Sequence, residues 1–225
     1  MTATGVTRTP APLFELGFHG DRHLIRLVDW LAQQAQAFIE TGANVGSTSR
    51  FMAQRFADMP VYSCECDPGA FALARRHLAP HKNACIEQAA SPAFLYAIHD
   101  RHPELCEQTN LYWLDAHGYG FRWPLVDEIA FLTSQLERAL VLIDDFRVPG
   151  RPEFKYDVYD GQVCALETIR PALHAGRRYT LVVPDHSEHT SPHHPLVGVG
   201  LIYFGLDLEL PEPLRSHFAS EVIET

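Results

Sequence analysis

Short apolar runs alternate with amphipathic stretches along most of the chain. The apolar runs read as strands and cover Ala37 to Glu40, Val61 to Glu65, Ala84 to Gln88, Leu111 to Asp115 and Leu140 to Asp144. The amphipathic stretches have helical spacing and cover Asp21 to Gln34, Ser47 to Phe56, Pro68 to Leu78, Pro92 to Arg101, Pro124 to Leu136 and Gly161 to Leu173. Apolar strands that alternate with helices of about 10–15 residues predict a parallel sheet covered on both sides.

The pattern changes near the end of the chain. The strands Tyr179 to Pro184 and Val197 to Phe204 are separated only by Asp185 to Pro195, where no helix is predicted. A parallel crossover needs a dozen or more residues and usually a helix, so these strands should pair antiparallel. The predicted fold class is therefore α/β, a three-layer Rossmann-like sandwich with a mostly parallel seven-stranded sheet and a C-terminal antiparallel hairpin.

Length, charge and cysteine content narrow the class of protein. At 225 residues and 46% hydrophobic content, we expect a flexible tail over residues 1–15 and a single domain over residues 16–225. The tail has no apolar run, so we expect it to be neither a signal peptide nor a membrane span. A formal net charge of −10 without a basic stripe argues against a nucleic-acid partner. Five cysteines without a CxxC pair favour reduced thiols in a cytoplasmic protein.

The turn after the first strand carries the strongest local signal. It reads Glu40-Thr41-Gly42-Ala43-Asn44-Val45-Gly46, and Ser47 or Thr48 is expected to cap the helix that follows. The two glycines allow positive φ and a close approach of backbone N–H groups to a ligand. The spacing is not that of the G-x-G-x-x-G dinucleotide fingerprint, and Glu40 suits an amine or hydroxyls rather than a pyrophosphate.

Acidic residues stand at the carboxyl ends of four predicted strands, where open parallel sheets bind ligands: Glu40, Glu65, Asp115 and the pair Asp144 and Asp145. Glu65 lies nineteen residues after Gly46, the spacing at which an acid meets a ribose diol. Asp115, Asp144 and Asp145 could bind a hard divalent ion such as Mg²⁺. Asp144 and Asp145 can share one ion only if the chain leaves the extended conformation after Ile143, and Asp145 could instead cap a turn.

Histidines and aromatic residues add further candidates. His117, two residues after Asp115, is placed to act as a general base if it is neutral near pH 7, or it is only a polar loop residue. The loop from His186 to His194 is rich in imidazole, but its spacing is irregular, so a mobile lid is favoured over a zinc site. Aromatic residues that could line a substrate pocket are Tyr119, Phe121, Trp123 and Tyr156.

From Ala37 to Phe204 the sequence resembles the class I S-adenosylmethionine-dependent methyltransferases, with Glu40 to Gly46 as the first motif and Glu65 as the ribose acid. In that family the seventh strand lies antiparallel beside the fifth, as the terminal hairpin would supply. Leu-Asp-Ala-His at 114–117 and Ile-Asp-Asp-Phe at 143–146 are similar to the metal-dependent macrocin-type sugar O-methyltransferases. The resemblance implies Mg²⁺ on Asp115, Asp144 and Asp145, with Asp115 and His117 catalytic. It implies S-adenosylmethionine contacts from Glu40, Gly42, Asn44, Gly46, Ser47, Glu65, Cys66, Ser91 and Asp115.

Three positions depart from that pattern. His117 replaces the acid that would act as general base, and Asn44 stands where many members have a third glycine. The acid after the third strand that often contacts the adenine amine falls near Ala89, so adenine recognition must be looser or come from the backbone.

The combined hypothesis is a methyltransferase that modifies an oxygen of a small polar, sugar-like or natural-product molecule, with a homodimer as a possible assembly. Two alternatives remain open at this point. One is a metal-dependent hydrolase that uses Asp115, His117, Asp144 and Asp145, because D-x-H begins many dimetal sites. The other is a non-catalytic S-adenosylmethionine-binding protein, which the missing adenine acid makes plausible.

Overall fold

The computed structural model describes residues 16–117, 122–191 and 194–225. The tail predicted for residues 1–15 and the aromatic residues Tyr119 and Phe121 lie outside these ranges. The domain boundaries therefore stay a prediction.

A parallel sheet forms the centre of the described chain, as the alternation of apolar runs and helices predicts. Its parallel strands are β1 (Phe38–Thr41), β2 (Val61–Glu65), β3 (Ala84–Gln88), β4 (Leu111–Leu114) and β5 (Ala139–Ile143). They lie in the spatial order β5-β4-β1-β2-β3. The strand order reverses between β1 and β4, and this is where ligands bind in open α/β sheets.

Antiparallel strands extend the sheet beyond β5. They are β8 (Arg178–Pro184), β9 (Gly200–Phe204) and β10 (Phe218–Glu224), in the order β10-β8-β9-β5. The pairing of β9 antiparallel with both β5 and β8 confirms the predicted hairpin and the α/β fold class. The sheet has eight strands rather than seven. The sequence does not predict β10, because an exposed edge strand with only two buried side chains gives a weak apolar pattern.

Helices cover both faces of this sheet. They are α1 (Arg22–Ala32), α2 (Ser47–Arg55), α3 (Pro68–Leu78), α4 (Ser91–Arg101), α5 (Glu104–Glu107), α6 (Leu125–Gln135), α7 (Leu166–Ile169) and α8 (Glu212–Arg215). One apolar core joins α4, α5 and α6 to the sheet, and a second joins α1, α2 and α8 to the opposite face. These two cores give the predicted three layers. No helix in the described ranges has the length and apolar content to cross a membrane.

The segment after β5 differs from the prediction. The helix expected over Gly161 to Leu173 is only α7, followed by a 3-10 turn at Arg170–Ala172. Before it, β6 (Val158–Tyr159) and β7 (Gln162–Val163) form a small hairpin, with Asp160 and Gly161 at positive φ. Asp-Gly between two strands is a strong signal for this type of turn, so the predicted helix start at Gly161 is wrong.

A left-handed turn at Gly17–Gly20 precedes α1. Phe18 and His19 both have positive φ, at 54° and 57°. The ring of Phe18 is buried and lies edge-on to Trp113 at 4.9 Å and to Phe51 at 5.6 Å. The packing of Phe18 anchors this unusual turn and directs the next side chain, His19, to the end of β5.

His99 of α4 provides a test of the apolar layer formed by α4 and α6. Its Nδ1 lies 2.8 Å from the Leu95 carbonyl oxygen and its Nε2 lies 2.9 Å from the Tyr112 hydroxyl, so the neutral ring is satisfied. Burial lowers the pKa of His99. The unfolded chain therefore binds a proton on His99 at a higher pH than the folded chain does. The free energy of unfolding falls as pH drops below about 6.5, by up to about 1.4 kcal/mol per pH unit.

We expect the His99→Gln variant to lose less unfolding free energy than the wild type between about pH 7.5 and pH 5.5, because it has no buried imidazole to protonate. Urea unfolding at both pH values measures this difference. His174→Gln, at an exposed histidine, should retain the wild-type loss. Equal losses in the wild type and His99→Gln would show that His99 titrates normally.

Candidate active site

The loop after β1 is shaped by its approach to neighbouring backbone. Gly42, Asn44 and Gly46 all have positive φ, at 77°, 49° and 81°. A Cβ atom on Gly42 would lie 2.6 Å from the carbonyl carbon of Asp115 and 2.7 Å from the Cα of Ala116. A Cβ atom on Gly46 would lie 3.1 Å from Ala74. Gly42 therefore lets the loop pack against the end of β4, and Gly46 lets it pack against α3.

The backbone N–H groups of this loop are largely used within the protein. Gly42 and Ala43 both donate to the Cys64 carbonyl oxygen, and Gly46 donates to that of Ala43. These three amides are used within the protein, so a ligand would have to approach other groups of the loop. The expected cap is wrong, because Gly46 is the N-cap of α2 and Ser47 is its first helical residue. A left-handed glycine there turns the chain into the helix without a side-chain cap.

Glu40 is buried on β1 and is tied to the next helix. Its carboxyl accepts a hydrogen bond from the Ser49 hydroxyl of α2. Burial raises the pKa of Glu40 to about 8, and the nearby carboxylates of Asp115 and Glu65 add to this effect. Glu40 is therefore largely protonated at neutral pH and can donate as well as accept a hydrogen bond.

Glu65 ends β2 beside this loop. Its Oε2 accepts from the Asn44 N–H at 2.7 Å, and its Oε1 accepts from the Asp67 N–H at 2.8 Å. Thr41 and Cys64 are partners in the parallel register, so Glu40 and Glu65 lie on adjacent strands at the same edge. A carboxylate has about four acceptor positions, so Glu65 keeps acceptor capacity for a ligand beside these two bonds and its hydrogen bond with the Cys66 thiol. The expected juxtaposition of the two acids is confirmed.

The acids after β4 and β5 lie at the same edge. The chain leaves the extended conformation after Ile143, and Asp145 has a left-handed φ of 50°. The geometric condition for a shared ion is thus met. Both carboxylate oxygens of Asp144, however, lie 2.8 Å from Nε2 of His19. Burial would raise the pKa of Asp144, but the charge of His19 outweighs it and holds this pKa below its ordinary value.

The group suited to a cation consists of Asp115, His117 and Asp145, whose candidate ligand atoms all lie within 4.8 Å of one another. Burial and the charge of Asp144 raise the pKa of Asp115 to about 6 and that of Asp145 to about 8. Such mutual repulsion is what a divalent ion relieves, and carboxylate oxygens are ligands that Mg²⁺ prefers. Asp115, His117 and Asp145 therefore fit a metal ion. The neighbouring Asp144 is paired with His19.

His117 has carboxylates on both sides of its ring. Its Nε2 lies 3.1 Å from Asp115 Oδ1, and its Nδ1 lies 3.1 Å from Asp157 Oδ2 and 2.6 Å from the Tyr159 hydroxyl. Burial lowers the pKa of His117, but its hydrogen bond to Asp115 and the nearby acids raise it to about 9. A general base must be neutral. A pKa of about 9 favours the protonated ring at neutral pH, and a cation on Asp115 and Asp145 would favour proton loss.

The remaining predicted cofactor residues surround this edge. Ser47 lies at the start of α2, Cys66 is exposed after Glu65, and Ser91 is buried at the start of α4. A pocket between the ends of β4 and β5 is lined by Asp115, His117, Trp123, Glu128, Asp145 and Tyr159, among others. The exposed Tyr156 does not line this pocket.

Four residues of the site were not identified from the sequence: His19, Glu128, Asp157 and Tyr159. Glu128 is buried in the first turn of α6, and its Oε1 has no hydrogen-bond partner in the described chain. Burial raises the pKa of Glu128 to about 7. An acid in the apolar stripe of a predicted helix was an available signal for Glu128, and the Asp-Gly turn was one for Asp157 and Tyr159.

No family model matches the chain, and no curated protein matches its sequence. The fold does match solved structures. A putative O-methyltransferase from Klebsiella pneumoniae is 14% identical with a TM-score of 0.54, covering 89% of this chain and 93% of that one. The fold is that of the S-adenosylmethionine-dependent methyltransferases.

Two further structures have the same fold. A SAM-dependent methyltransferase from Aquifex aeolicus is 12% identical with a TM-score of 0.52, covering 87% of this chain and 93% of that one. The O-methyltransferase TomG from Streptomyces achromogenes, involved in tomaymycin synthesis and solved in complex with SAM, is 17% identical with a TM-score of 0.52. This match covers 81% of the present chain and 78% of the TomG chain. At these identities the likeness concerns the fold.

The contact of Gly42 with β4 can be tested by substitution. We expect Gly42→Ala to destabilise the protein by more than the roughly 1–2 kcal/mol that a left-handed alanine costs, because its Cβ overlaps the Asp115 backbone. Gly161→Ala is a matched control, since Gly161 has a φ of 79° with no atom within 4 Å of the added Cβ. Chemical denaturation of both variants gives the difference. Equal losses would contradict the close contact.

Proposed function

We propose that the protein transfers a methyl group from S-adenosylmethionine to an oxygen atom of a small polar molecule, with help from a divalent ion. The observation that carries this proposal is the meeting of Glu40, Glu65 and Asp115 at the carboxyl ends of β1, β2 and β4. This edge adjoins the point where the strand order reverses, and the fold is one that methyltransferases have.

The cofactor would lie across this edge. Glu65 would accept hydrogen bonds from the ribose hydroxyls through its remaining acceptor capacity. The adjacent Asn44, Ser47 and Cys66 would flank the ribose and the methionine part. The nearby acid Asp115 would favour the positive sulfonium and amine groups, and a positive charge bound there would in turn favour ionisation of the buried Glu40.

Adenine recognition needs another source, because Ala89 stands where an acid is common in the family. Ser91 opens α4 just after this position, and Glu128 interacts electrostatically with Asp115. An adenine amine donates hydrogen bonds, and the unpartnered Oε1 of Glu128 could accept one. The buried hydroxyl of Ser91 lies beside the Glu128 carboxyl and interacts with it. These two side chains are the candidates for the missing contact.

The divalent ion would be held by Asp115 and Asp145, with Asp144 beside them. A bound Mg²⁺ would lower the pKa of an acceptor hydroxyl and orient it. His117 lies next to these carboxylates and, once neutral, is placed to receive the proton of that hydroxyl. Asp157 and Tyr159 fix the ring of His117 from its other side. The acidic lining favours acceptors that donate hydrogen bonds, such as polyols and phenols.

The metal-dependent hydrolase and the non-catalytic binder are not favoured. The solved structures that share this fold include methyltransferases acting through S-adenosylmethionine. The hydrolase alternative rests on Asp115-Ala116-His117, and the residues that follow this segment, 118–121, lie outside the described ranges.

Cofactor binding tests the role of Glu65. We expect Glu65→Gln to weaken the binding of S-adenosylhomocysteine by roughly 10-fold or more, because a hydrogen bond to a charged acceptor contributes about 1.5–3 kcal/mol. Glu87→Gln, at an acid of neighbouring β3 that pairs with Arg101, should bind as the wild type does. Isothermal titration calorimetry measures all three. The role of Glu65 fails if Glu65→Gln binds normally, and the function itself fails if the wild type shows no binding at about 1 mM.

Metal binding tests the role of Asp145. We expect Asp145→Asn to weaken Mg²⁺ binding, measured by calorimetry, because it removes one carboxylate ligand while asparagine tolerates the left-handed φ. Asp160→Asn makes the same change at a left-handed position in the β6–β7 turn and should bind Mg²⁺ normally. Equal Mg²⁺ affinity in the two variants would remove Asp145 from the metal site.

A further inference from the structure

A cluster of histidines separate from the candidate active site lies where the start of α1 meets the end of β8 and the start of β10. It consists of His23 in the first turn of α1, His186 and Glu188 in the segment after β8, and His217 just before β10. Antiparallel pairing brings the start of β10 next to the end of β8, with Phe218 opposite Pro184. The Asp185 N–H continues this pairing by donating to the His217 carbonyl oxygen at 2.7 Å. The sheet thus places His186 and His217 side by side.

The side chains of this cluster converge closely. His23 Nε2 lies 3.0 Å from Glu188 Oε2, and the rings of His23 and His217 stack with centroids 4.0 Å apart. The ring of His186 lies 4.4 Å from that of His23. Candidate ligand atoms of His23, Glu188 and His217 all lie within 4.8 Å of one another. Tetrahedral zinc with bonds of about 2.0–2.1 Å separates its ligand atoms by roughly 3.3 Å, so small side-chain shifts would suffice.

Hydrogen bonds around the cluster suit a metal site. His217 Nδ1 lies 2.7 Å from the Ser216 hydroxyl and 3.1 Å from the Pro213 carbonyl oxygen, and it can donate to either oxygen. That tautomer leaves the lone pair on Nε2, as in metal-bound histidines whose other nitrogen donates to a carbonyl group. His186 is about nine-tenths buried, and its Nδ1 has no hydrogen-bond partner among the described residues. A buried, unsatisfied nitrogen costs free energy unless it binds something.

The segment that carries Glu188 is already docked on the start of α1. The Thr190 hydroxyl donates to Asp21 Oδ1 at 2.8 Å and accepts from the Arg22 N–H at 3.0 Å. The Ser191 hydroxyl donates to the His19 carbonyl oxygen at 2.6 Å. These bonds hold Glu188 against His23 before any ion arrives. An exposed ion pair with Glu188 contributes little by itself, so it does not explain three packed imidazoles.

We propose that His23, Glu188 and His217, with the ring of His186 packed beside them, bind a transition-metal ion of the zinc class. Imidazole nitrogens with one carboxylate are a donor set typical of Zn²⁺ and differ from the oxygen ligands that Mg²⁺ prefers. The ion would join α1 to the ends of β8 and β10. It would thereby fix the segment whose Ser191 contacts His19, the partner of Asp144. This site is separate from the proposed Mg²⁺ site and does not depend on the proposed function.

Zinc titration of the untagged, chelator-treated protein tests the proposal. The Asp145→Asn background is used because Asp115, His117 and Asp145 could also take Zn²⁺. We expect one Zn²⁺ to bind in this background, as seen by calorimetry and native mass spectrometry. Adding His217→Gln should weaken that binding at least about tenfold, because one ligand is lost. Adding His102→Gln, at a histidine that pairs with Glu104 elsewhere on the surface, should leave Zn²⁺ binding unchanged.

A second variant protects the test against misfolding. Glu188 is 68% exposed, so Glu188→Gln should keep the wild-type circular dichroism spectrum and still weaken Zn²⁺ binding. Zn²⁺ should also raise the melting temperature of Asp145→Asn, with a smaller rise after His217→Gln or Glu188→Gln. The proposal is overturned if Asp145→Asn binds no Zn²⁺ up to about 0.1 mM. It is also overturned if both ligand variants bind Zn²⁺ as tightly as their background.

Discussion

Carboxyl groups crowded at one edge of the sheet repel one another where little water can screen them, and the candidate site depends on how this repulsion is offset. Burial and neighbouring acids raise the pKa of both Glu40 and Asp145 to about 8. Against burial, adjacent carboxylates raise the pKa of His19 and of His117 to about 9. The protein thus supplies two imidazolium groups where acids gather. A sulfonium cofactor and a divalent ion would supply further positive charge at the same edge.

Much of the surrounding structure serves to hold this edge together. Gly42 lets the loop after β1 approach the backbone at the end of β4, and Glu65 binds the N–H of Asn44 in that loop. The buried ring of Phe18 anchors the left-handed turn that delivers His19 to Asp144. The positive-φ positions of the site are therefore fixed by packing as well as by hydrogen bonds.

The sequence predicts the parallel strands, their order along the chain and the acids at their ends. Apolar periodicity can be read from neighbouring positions, and parallel pairing then brings the strand ends together. The contacts of His19, and the meeting of His23 with His217, could not be predicted. Each joins residues more than a hundred positions apart, which sequence spacing does not relate. The β6–β7 hairpin differs, because Asp160-Gly161 carries a local turn signal that competes with the helical spacing after Gly161. Edge strand β10 lacked the apolar pattern of its neighbours.

The central claim is that the carboxyl ends of β1, β2 and β4 form the binding site for S-adenosylmethionine. A crystal structure of the protein with S-adenosylhomocysteine tests it most directly. The account predicts the ribose hydroxyls within hydrogen-bonding distance of the Glu65 carboxylate, about 2.5–3.0 Å, with the sulfur on the Asp115 side of the loop at 42–46. A nucleoside bound at any other edge of the sheet would contradict the account.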